Sequence, residues 1–317
     1  MASPSMVLLK PTATSTRESV MAKDGNCSLE FFPPKTSAGR EKLLNDTLPA
    51  LASLNPEYCS VTYGAGGSTR DTTVAAVEAI AAAGQDVAPH LSFGSDNRET
   101  LQGLLENYQQ LGVRRLVALR GDASVNDETG DERCIYANEL VSFIRETTGD
   151  HFDIKVAAYP EIHPEAVSYS RDIDFLKAKL DAGANAAVTQ YFFNVESYFY
   201  FMDRCAAAGI TQPIHPGVMP ITNFSNLMRF SAACGAEIPR WIRLRTEDFA
   251  EDSESAYQFG IEVISQLCAT LIDSGAPPIH FYTMNQAEPV CTIAQNIGLL
   301  KGGNNDAGDQ ALQRSVA

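Results

Sequence analysis

Basic residues are scarce in this 317-residue chain: 24 Lys and Arg stand against 39 Asp and Glu, a formal net charge of -15. Such a surface repels polyanions, so nucleic acid and anionic membranes are not expected partners, and an anionic ligand needs a locally basic pocket. Cys-x-x-Cys pairs are missing, and the seven cysteines (Cys27, Cys59, Cys134, Cys205, Cys234, Cys268 and Cys291) are odd in number. A disulfide framework and a structural zinc site therefore lack their spacing, and the expectation is a metal-free protein with free thiols in a reducing, cytoplasmic setting. Long apolar runs are missing too. The longest near the N-terminus, Met6 to Leu9, is too short for a secretion signal or a membrane span.

Two nucleotide-binding fingerprints also fail. Gly64, Gly66 and Gly67 invite a dinucleotide motif, but G-x-G-x-x-G would need glycine where Thr69 stands, and no Lys-Ser/Thr follows to make a phosphate loop. No Pro- or Ser-rich linker interrupts the chain. Residues 1–25, rich in Ser, Thr and Ala, and 301–317, rich in Gly, Asn, Asp and Gln, are expected to be disordered tails around one domain spanning 26–300.

What is present is alternation. Arg115 to Asp122 shows the unit: Leu116 to Leu119 is apolar without interruption, as in a strand buried on both faces, and it ends in Arg120, Gly121 and Asp122. Similar runs occupy Cys27 to Phe32, Tyr58 to Tyr63, Val87 to Phe93, Ile154 to Tyr159, Ala186 to Phe193, Ile214 to Ile221 and Ile279 to Met284. Helical spacing fills the intervals: a stretch to Leu54, then Leu101, Leu104, Leu105, Tyr108 and Leu111, with Asp96 and Glu99 as a capping box. Ile173, Leu176 and Leu180 follow, then Phe199, Met202 and Cys205, then Thr222 to Cys234, and Val263 to Ile272. Eight strands alternating with helices predict an α/β fold, a (βα)8 TIM barrel, with a Rossmann sheet as the second choice. In a barrel the polar residues at strand ends, Glu30, Thr62, His90, Arg120, Asp122, Tyr159, Glu161, Gln190 and Gln286, converge on one mouth.

Those residues sit in blocks that carry a resemblance. Leu-Glu-Phe-Phe-Pro-Pro-Lys-Thr (29–36), Ser-Val-Thr-Tyr-Gly-Ala-Gly-Gly (60–67), Ala-Pro-His-Leu (88–91), Val-Ala-Leu-Arg-Gly-Asp (117–122) and Val-Ala-Ala-Tyr-Pro-Glu (156–161) come first. Asp-Ala-Gly-Ala-Asn (181–185), Thr-Gln-Tyr-Phe-Phe (189–193), Pro-Ile-Thr-Asn-Phe (220–224) and His-Phe-Tyr-Thr-Met-Asn (280–285) complete the set. In this order, from about Leu29 to Leu299, they resemble bacterial methylenetetrahydrofolate reductases. The resemblance implies a homo-oligomeric (βα)8 barrel that binds FAD. It also implies ping-pong transfer of hydride from NADH or NADPH through the flavin to 5,10-methylenetetrahydrofolate. The product, 5-methyltetrahydrofolate, supplies methyl groups for methionine synthesis.

Residue by residue, Glu30 matches the family's general acid, which protonates folate N10 to open the five-membered ring. Burial between Leu29 and Phe31 is expected to raise its pKa; a buried Glu paired with a neighbouring cation is the structural alternative. Asp122 matches the aspartate beside flavin and pterin, and Gln190 a residue that contacts both folate and nicotinamide. Phe230 matches an aromatic that stacks on either one, against the plainer reading of a helix core residue. Thr62, His90, Leu119, Arg120, Gly121, Tyr136, Ala137, Tyr159, His163, Asp172 and Lys179, with Asp122, match flavin-contacting positions. Asp172 and Lys179 also fit a solvated helix face.

Departures from the enteric form of the family fall at Gln286, where that form has Arg, and at Asn226, where it has Gln; both are kept as substrate-binding candidates. His215 takes a place that is usually aliphatic. Arg240, Arg243 and Arg245 form a candidate cradle for the polyanionic tail of polyglutamylated folates, or an ordinary basic turn. Two other readings stay open: proline dehydrogenase, another flavin barrel, and a catalytically silent barrel that serves as a binding partner.

Overall fold

A computed structural model describes residues 27–63, 70–93, 97–120, 136–249 and 252–300. Both expected tails, Gly121, Asp122, Cys134, Asp96 and the glycines at 64, 66 and 67 lie outside the described residues.

The chain opens with β1 (Cys27–Phe31), stopped by Pro33 and Pro34, which supply no N–H to a ladder. Helix α1 (Ser37–Lys42), one π-helical turn (Leu43–Thr47) and α2 (Leu48–Ala52) follow. Then come β2 (Cys59–Val61), α3 (Arg70–Ala82), β3 (Val87–Ser92), α4 (Arg98–Gln110), β4 (Arg115–Leu119), α5 (Ala137–Thr148), β5 (Asp153–Ala158) and α6 (Tyr169–Asp181). The remainder is β6 (Ala186–Thr189), α7 (Val195–Ala207), β7 (Ile214–His215), β8 (Gly217–Val218), α8 (Phe224–Cys234), α9 (Arg240–Phe249), α10 (Ser253–Asp273), β9 (Ile279–Tyr282) and α11 (Ala287–Asn296).

All the strand pairings are parallel, in the order β7-β6-β5-β4-β3-β2-β1-β9-β8. The segments β7 and β8 are halves of one expected strand that Pro216 interrupts. The first half pairs with β6 and the second with β9, so the ring closes through the break and the expected eight-strand barrel is the fold. Gly217 is fixed at the seam by space: a Cβ there would lie 2.0 Å from the Thr189 carbonyl oxygen and 2.7 Å from the Tyr282 ring.

Four local expectations change. Strand β6 stops at Thr189, because Tyr191, Phe192 and Phe193 bury as a turn rather than as strand. The cap of α4 is Asn97, whose side chain accepts from the Thr100 N–H, in place of the box from Asp96. Residues 240–249 form a helix instead of a basic turn. The stretch before Leu54 is helical but carries a π turn.

Two kinds of packing separate across the sheet. Alternate residues of β1, Cys27, Leu29 and Phe31, are buried in the large apolar layer shared with the helices, along with Val61, Leu91, Leu116, Ile154 and Ile264. Inside the barrel the apolar set is small: Tyr58, Ala88 and Val117, with Leu119 against them. Side chains that bridge strands not adjacent in the sheet, such as Glu30 to His90 or Lys155 to Tyr58, reach each other only through this interior. Cys27 and Cys59 are buried, and burial pushes each thiol up to about 12, which fits inert core residues.

Candidate functional site: an acid in the barrel mouth beside a cofactor-sized cavity

Strand alternation that sends Leu29 outward sends Ser28 and Glu30 inward. The Glu30 side chain is 14% exposed, and its Oε2 lies 3.2 Å from both His90 Nε2 and His280 Nε2. His280 reaches it from β9, where the register sets Ser28 opposite His280 and Glu30 opposite Tyr282. The other ring nitrogen of His280, Nδ1, is 2.7 Å from Ser28 Oγ. The His280 contact meets hydrogen-bond geometry; the His90 Nε2 contact does not, and is an electrostatic approach only.

The backbone of Glu30 is held equally firmly. Thr283 donates to its carbonyl from Oγ1 at 2.6 Å, while Asn285 accepts from the Phe32 N–H at 2.9 Å and donates to the Phe32 carbonyl at 3.0 Å. Met284 and Asn285 adopt positive φ to bring these groups round.

This setting reverses one expectation. Burial does raise the Glu30 pKa and is the largest single influence, but the electrostatic pull of His90 and the hydrogen bond and charge of His280 together outweigh it. The carboxyl is held at about 2. Of the two readings, the buried Glu held by a neighbouring side chain is the one the geometry favours, with two histidines as the neighbours.

Beyond the C-terminal ends of β4 and β5 lies a cavity of about 480 Å³, within the range of cofactor sites; Glu30, His90 and His280 are not among its lining residues. Its walls include eight of the flavin-matching residues: Leu119, Arg120, Tyr136, Ala137, Tyr159, His163, Asp172 and Lys179. Asp172 and Lys179 are half-buried on α6 and face the cavity, which sets aside the solvated-face reading. Lys179 Nζ donates to the Ala157 carbonyl at 2.5 Å, and burial, only partly offset by Asp172, pulls its ammonium down to about 8. Asp172 accepts from the His163 N–H at 2.9 Å, and Arg120 makes a two-pronged pair with Glu165 at 2.5 and 3.0 Å. Small side chains at Ala118, Ala137, Ala157 and Ala166 keep the space open between Tyr136 and Tyr159. Two tyrosine rings, small alanines and the cations Arg120 and Lys179 fit a flat, anionic cofactor such as a flavin nucleotide, although Glu165 and Asp172 line the same cavity and Glu165 pairs with Arg120.

Other candidates are spread around the mouth. Thr62 follows β2, where its carbonyl accepts from Thr73 Oγ1, and neither it nor His90 lines the cavity. His90 is buried and turned toward Glu30. Gln190 follows β6, its Oε1 accepting from the Tyr191 N–H at 3.1 Å. Gln286 is the exposed cap residue of α11. Asn226 and Phe230 are exposed on α8, so Phe230 is not the core residue of the plainer reading; Asn226 Oδ1 accepts from Arg229. Asp122 and Gly121 lie outside the described residues. His215 is buried with Nδ1 3.0 Å from the Pro278 carbonyl, and burial lowers its pKa. Arg240, Arg243 and Arg245 are exposed on α9 and line no part of the cavity; Arg245 lies 3.8 Å from Asp248 and over the Phe249 ring.

Two residues at the centre of the geometry were not singled out from the sequence, Ser28 and His280. The available signal was the period of two, which puts Ser28 on the face of Glu30; His280 needed the β1–β9 register.

The fold and the site define a (βα)8 barrel with a cofactor-sized cavity where its strands end. The sequence pattern described as "Methylenetetrahydrofolate reductase" matches residues 15–298, and the chain belongs to that family. It is 42% identical to the 5,10-methylenetetrahydrofolate reductase of Pectobacterium carotovorum, over 86% of this chain and 90% of that one. Identity to the Escherichia coli enzyme of the same name is 39%, over 87% and 92% of the two chains. The methylenetetrahydrofolate reductase (NADH) 1 of Arabidopsis thaliana is 35% identical across 86% of this chain but only 48% of its own length. Among solved structures, an uncharacterized Clostridium thermocellum protein described as binding two copies of 5-methyl-5,6,7,8-tetrahydrofolic acid aligns with a TM-score of 0.61. At 14% identity over 87% and 95% of the chains, that likeness is one of fold. No described helix is long and apolar enough to cross a membrane.

Proposed function

We propose that this chain reduces 5,10-methylenetetrahydrofolate to 5-methyltetrahydrofolate with electrons from NADH or NADPH, using FAD held in the cavity between β4, β5, α5 and α6. The observation that carries the proposal is a cavity at the C-terminal ends of the strands lined by eight residues of flavin-matching type, in a barrel whose first strand turns a histidine-flanked carboxyl, Glu30, inward. Bound there, the flavin supplies a two-electron carrier that accepts hydride from one partner and gives it to another.

The chain's own part is positioning and proton supply. Arg120 and Lys179 offer positive charge to an anionic cofactor, and Tyr136 and Tyr159 offer flat walls. Gln190, Gln286, Asn226, Phe230 and Asp122 are the groups assigned to the folate and nicotinamide. Glu30 delivers a proton to the folate N10. Its carboxyl oxygen is hydrogen-bonded to His280 and lies 3.2 Å from His90, the groups placed beside it at the mouth.

The test is the visible spectrum of the purified protein, followed by anaerobic titration with NADH and with NADPH and then addition of the folate. Flavin bands that bleach with a nicotinamide and recover with 5,10-methylenetetrahydrofolate are expected, and also identify the donor. A colourless protein that stays inactive with added FAD would remove the proposal.

A further inference from the structure

Four charged side chains line the cavity, and their signs cancel: Arg120 and Lys179 stand against Glu165 and Asp172. Two of the four are committed to the backbone. Lys179 Nζ donates to the Ala157 carbonyl, and half-buried Asp172 accepts from the His163 N–H. The other two are committed to each other. Glu165 accepts from Nη1 and Nη2 of Arg120 at 2.5 and 3.0 Å, and this forked pair holds its carboxyl below the usual carboxylate range, so that it is ionised at neutral pH. The main chain around Glu165 is pinned: its N–H donates to His163 Nδ1 at 3.1 Å, the Ala166 N–H to the His163 carbonyl at 2.8 Å, and Ser168 caps α6 by accepting from the Arg171 N–H. The side chain is not pinned. It is 62% exposed, Pro164, Val167 and Ser168 around it are exposed too, and among the described residues only Arg120 holds the carboxylate by hydrogen bonds. Rotation about its side-chain bonds alone carries the carboxylate into water and leaves the loop in place.

We propose that Glu165 is a built-in competitor for the anionic part of the cofactor: its carboxylate holds the Arg120 guanidinium, and the phosphates of FAD bind there by displacing it into solvent. The proposal rests on the reading of the cavity as the FAD site. Phosphate and carboxylate present the same fork of oxygens to a guanidinium, so each excludes the other from the same pair of N–H groups. A carboxylate left in the wall would also lie beside the phosphates as a like charge, in a chain whose net charge is already -15. Exchange removes both conflicts. Two N–H···O bonds to Glu165 are given up, bonds to phosphate oxygens replace them, and the released carboxylate regains its water. The apparent affinity for the cofactor is then the intrinsic affinity multiplied by the fraction of Arg120 that stands free. Glu165 thereby keeps the cofactor exchangeable without contributing a contact to it. Asp172, held by the His163 N–H, is not free to play this part.

The measurement is the FAD dissociation constant of the full-length, FAD-loaded protein, read as the fraction of flavin that passes an ultrafilter on serial dilution, with thermal unfolding of each sample as the check on folding. Glu165→Gln should lower that constant by about fivefold, the scale of a well-aligned exposed ion pair, and Glu165→Ala should do the same. In an Arg120→Gln background, Glu165→Gln should leave FAD affinity where Arg120→Gln alone puts it, because the competitor has nothing left to hold. An unchanged or weaker hold on FAD in both Glu165 variants would overturn the proposal and make Glu165 a support for Arg120. The same fivefold gain in the Arg120→Gln background would also overturn it, by showing that the carboxylate acts as a distant charge and not as a competitor. A parent that takes up no FAD would remove the reading of the cavity itself, a result distinct from a parent that binds FAD and variants that bind it no better.

Discussion

Leu29 and Glu30 are neighbours on one five-residue strand, yet they face two different solvents. Outside the barrel wall, Leu29 joins an apolar layer with the helices, closed by side chains such as Leu51, Ile80, Leu105 and Ile264. Inside, where such barrels are usually filled by bulky branched residues, this one holds Ser28, Glu30, Tyr58, His90, Lys155, His215, His280 and Tyr282. The outer layer is non-directional and tolerates exchange of shape for shape. The interior is hydrogen-bonded and therefore directional, and it can move protons as well as fill space. Stability is thus concentrated on one side of the sheet and chemistry on the other.

Substitutions can break that division, and the largest effect belongs to the interior. Glu30→Gln should slow hydride transfer to folate by about 10²- to 10⁴-fold in single-turnover mixing, with flavin reduction by nicotinamide retained. Normal turnover in this variant would end the assignment of Glu30 as the acid. On the outer side, Leu29→Ala should lower unfolding free energy by about 3 kcal/mol in urea titration while the folded fraction keeps its kinetics. Gly217→Ala, at the seam between the two worlds, should cost about 2 kcal/mol, because a Cβ meets backbone at Thr189 and the ring of Tyr282. An unchanged midpoint there would show that the seam yields.

The smallest effect compares two carboxyls at the mouth. Glu30 is lowered to about 2 from 4.5, so its contribution to stability is complete above pH 4.5 and is lost as pH falls toward 2. Glu161 is raised to about 6 by burial, against a hydrogen bond from the Glu237 N–H, and its Oε1 has no partner. Its sign is opposite: folding is favoured while it is protonated and loses ground as pH rises from 4.5 through 6. Glu161→Gln should therefore be more stable than the parent at pH 7 by about 1 kcal/mol, after allowing for solvent screening, with the gap closing near pH 4.5. Paired urea titrations at the two pH values check it.

The outer layer was the legible half. Unbroken apolar runs such as Leu116 to Leu119 and stripes such as Leu101, Leu104, Leu105 and Tyr108 state their burial by composition and period, and they fixed the alternation that makes a barrel. Local signals failed where backbone chemistry overrode pattern: Pro216 splits β7 from β8, and the apolar turn at Tyr191 to Phe193 reads as strand. Helix α9 was hidden because Arg240, Arg243 and Arg245 leave it a narrow apolar stripe, with Ile242 and Thr246 as its buried residues. In the site, the resemblance brought Arg120, Tyr159, Asp172 and Lys179 to one cavity across 60 residues of sequence, which no local pattern could have done. The direction of the Glu30 pKa was misjudged for the same reason. Its chain neighbours are apolar, but its spatial neighbours come from β3 and β9.

The bond of Ser28 to His280 spans 252 positions, and those of Glu30 and Phe32 to Thr283 and Asn285 span 253. During synthesis the first strand emerges long before the partner that orients its carboxyl. The nascent chain must hold β1 with one edge open until β9 has left the ribosome, so the acid is among the last features to be assembled although it is among the first to be made. A chain truncated before residue 279 would lack the His280 and Thr283 contacts that orient Glu30.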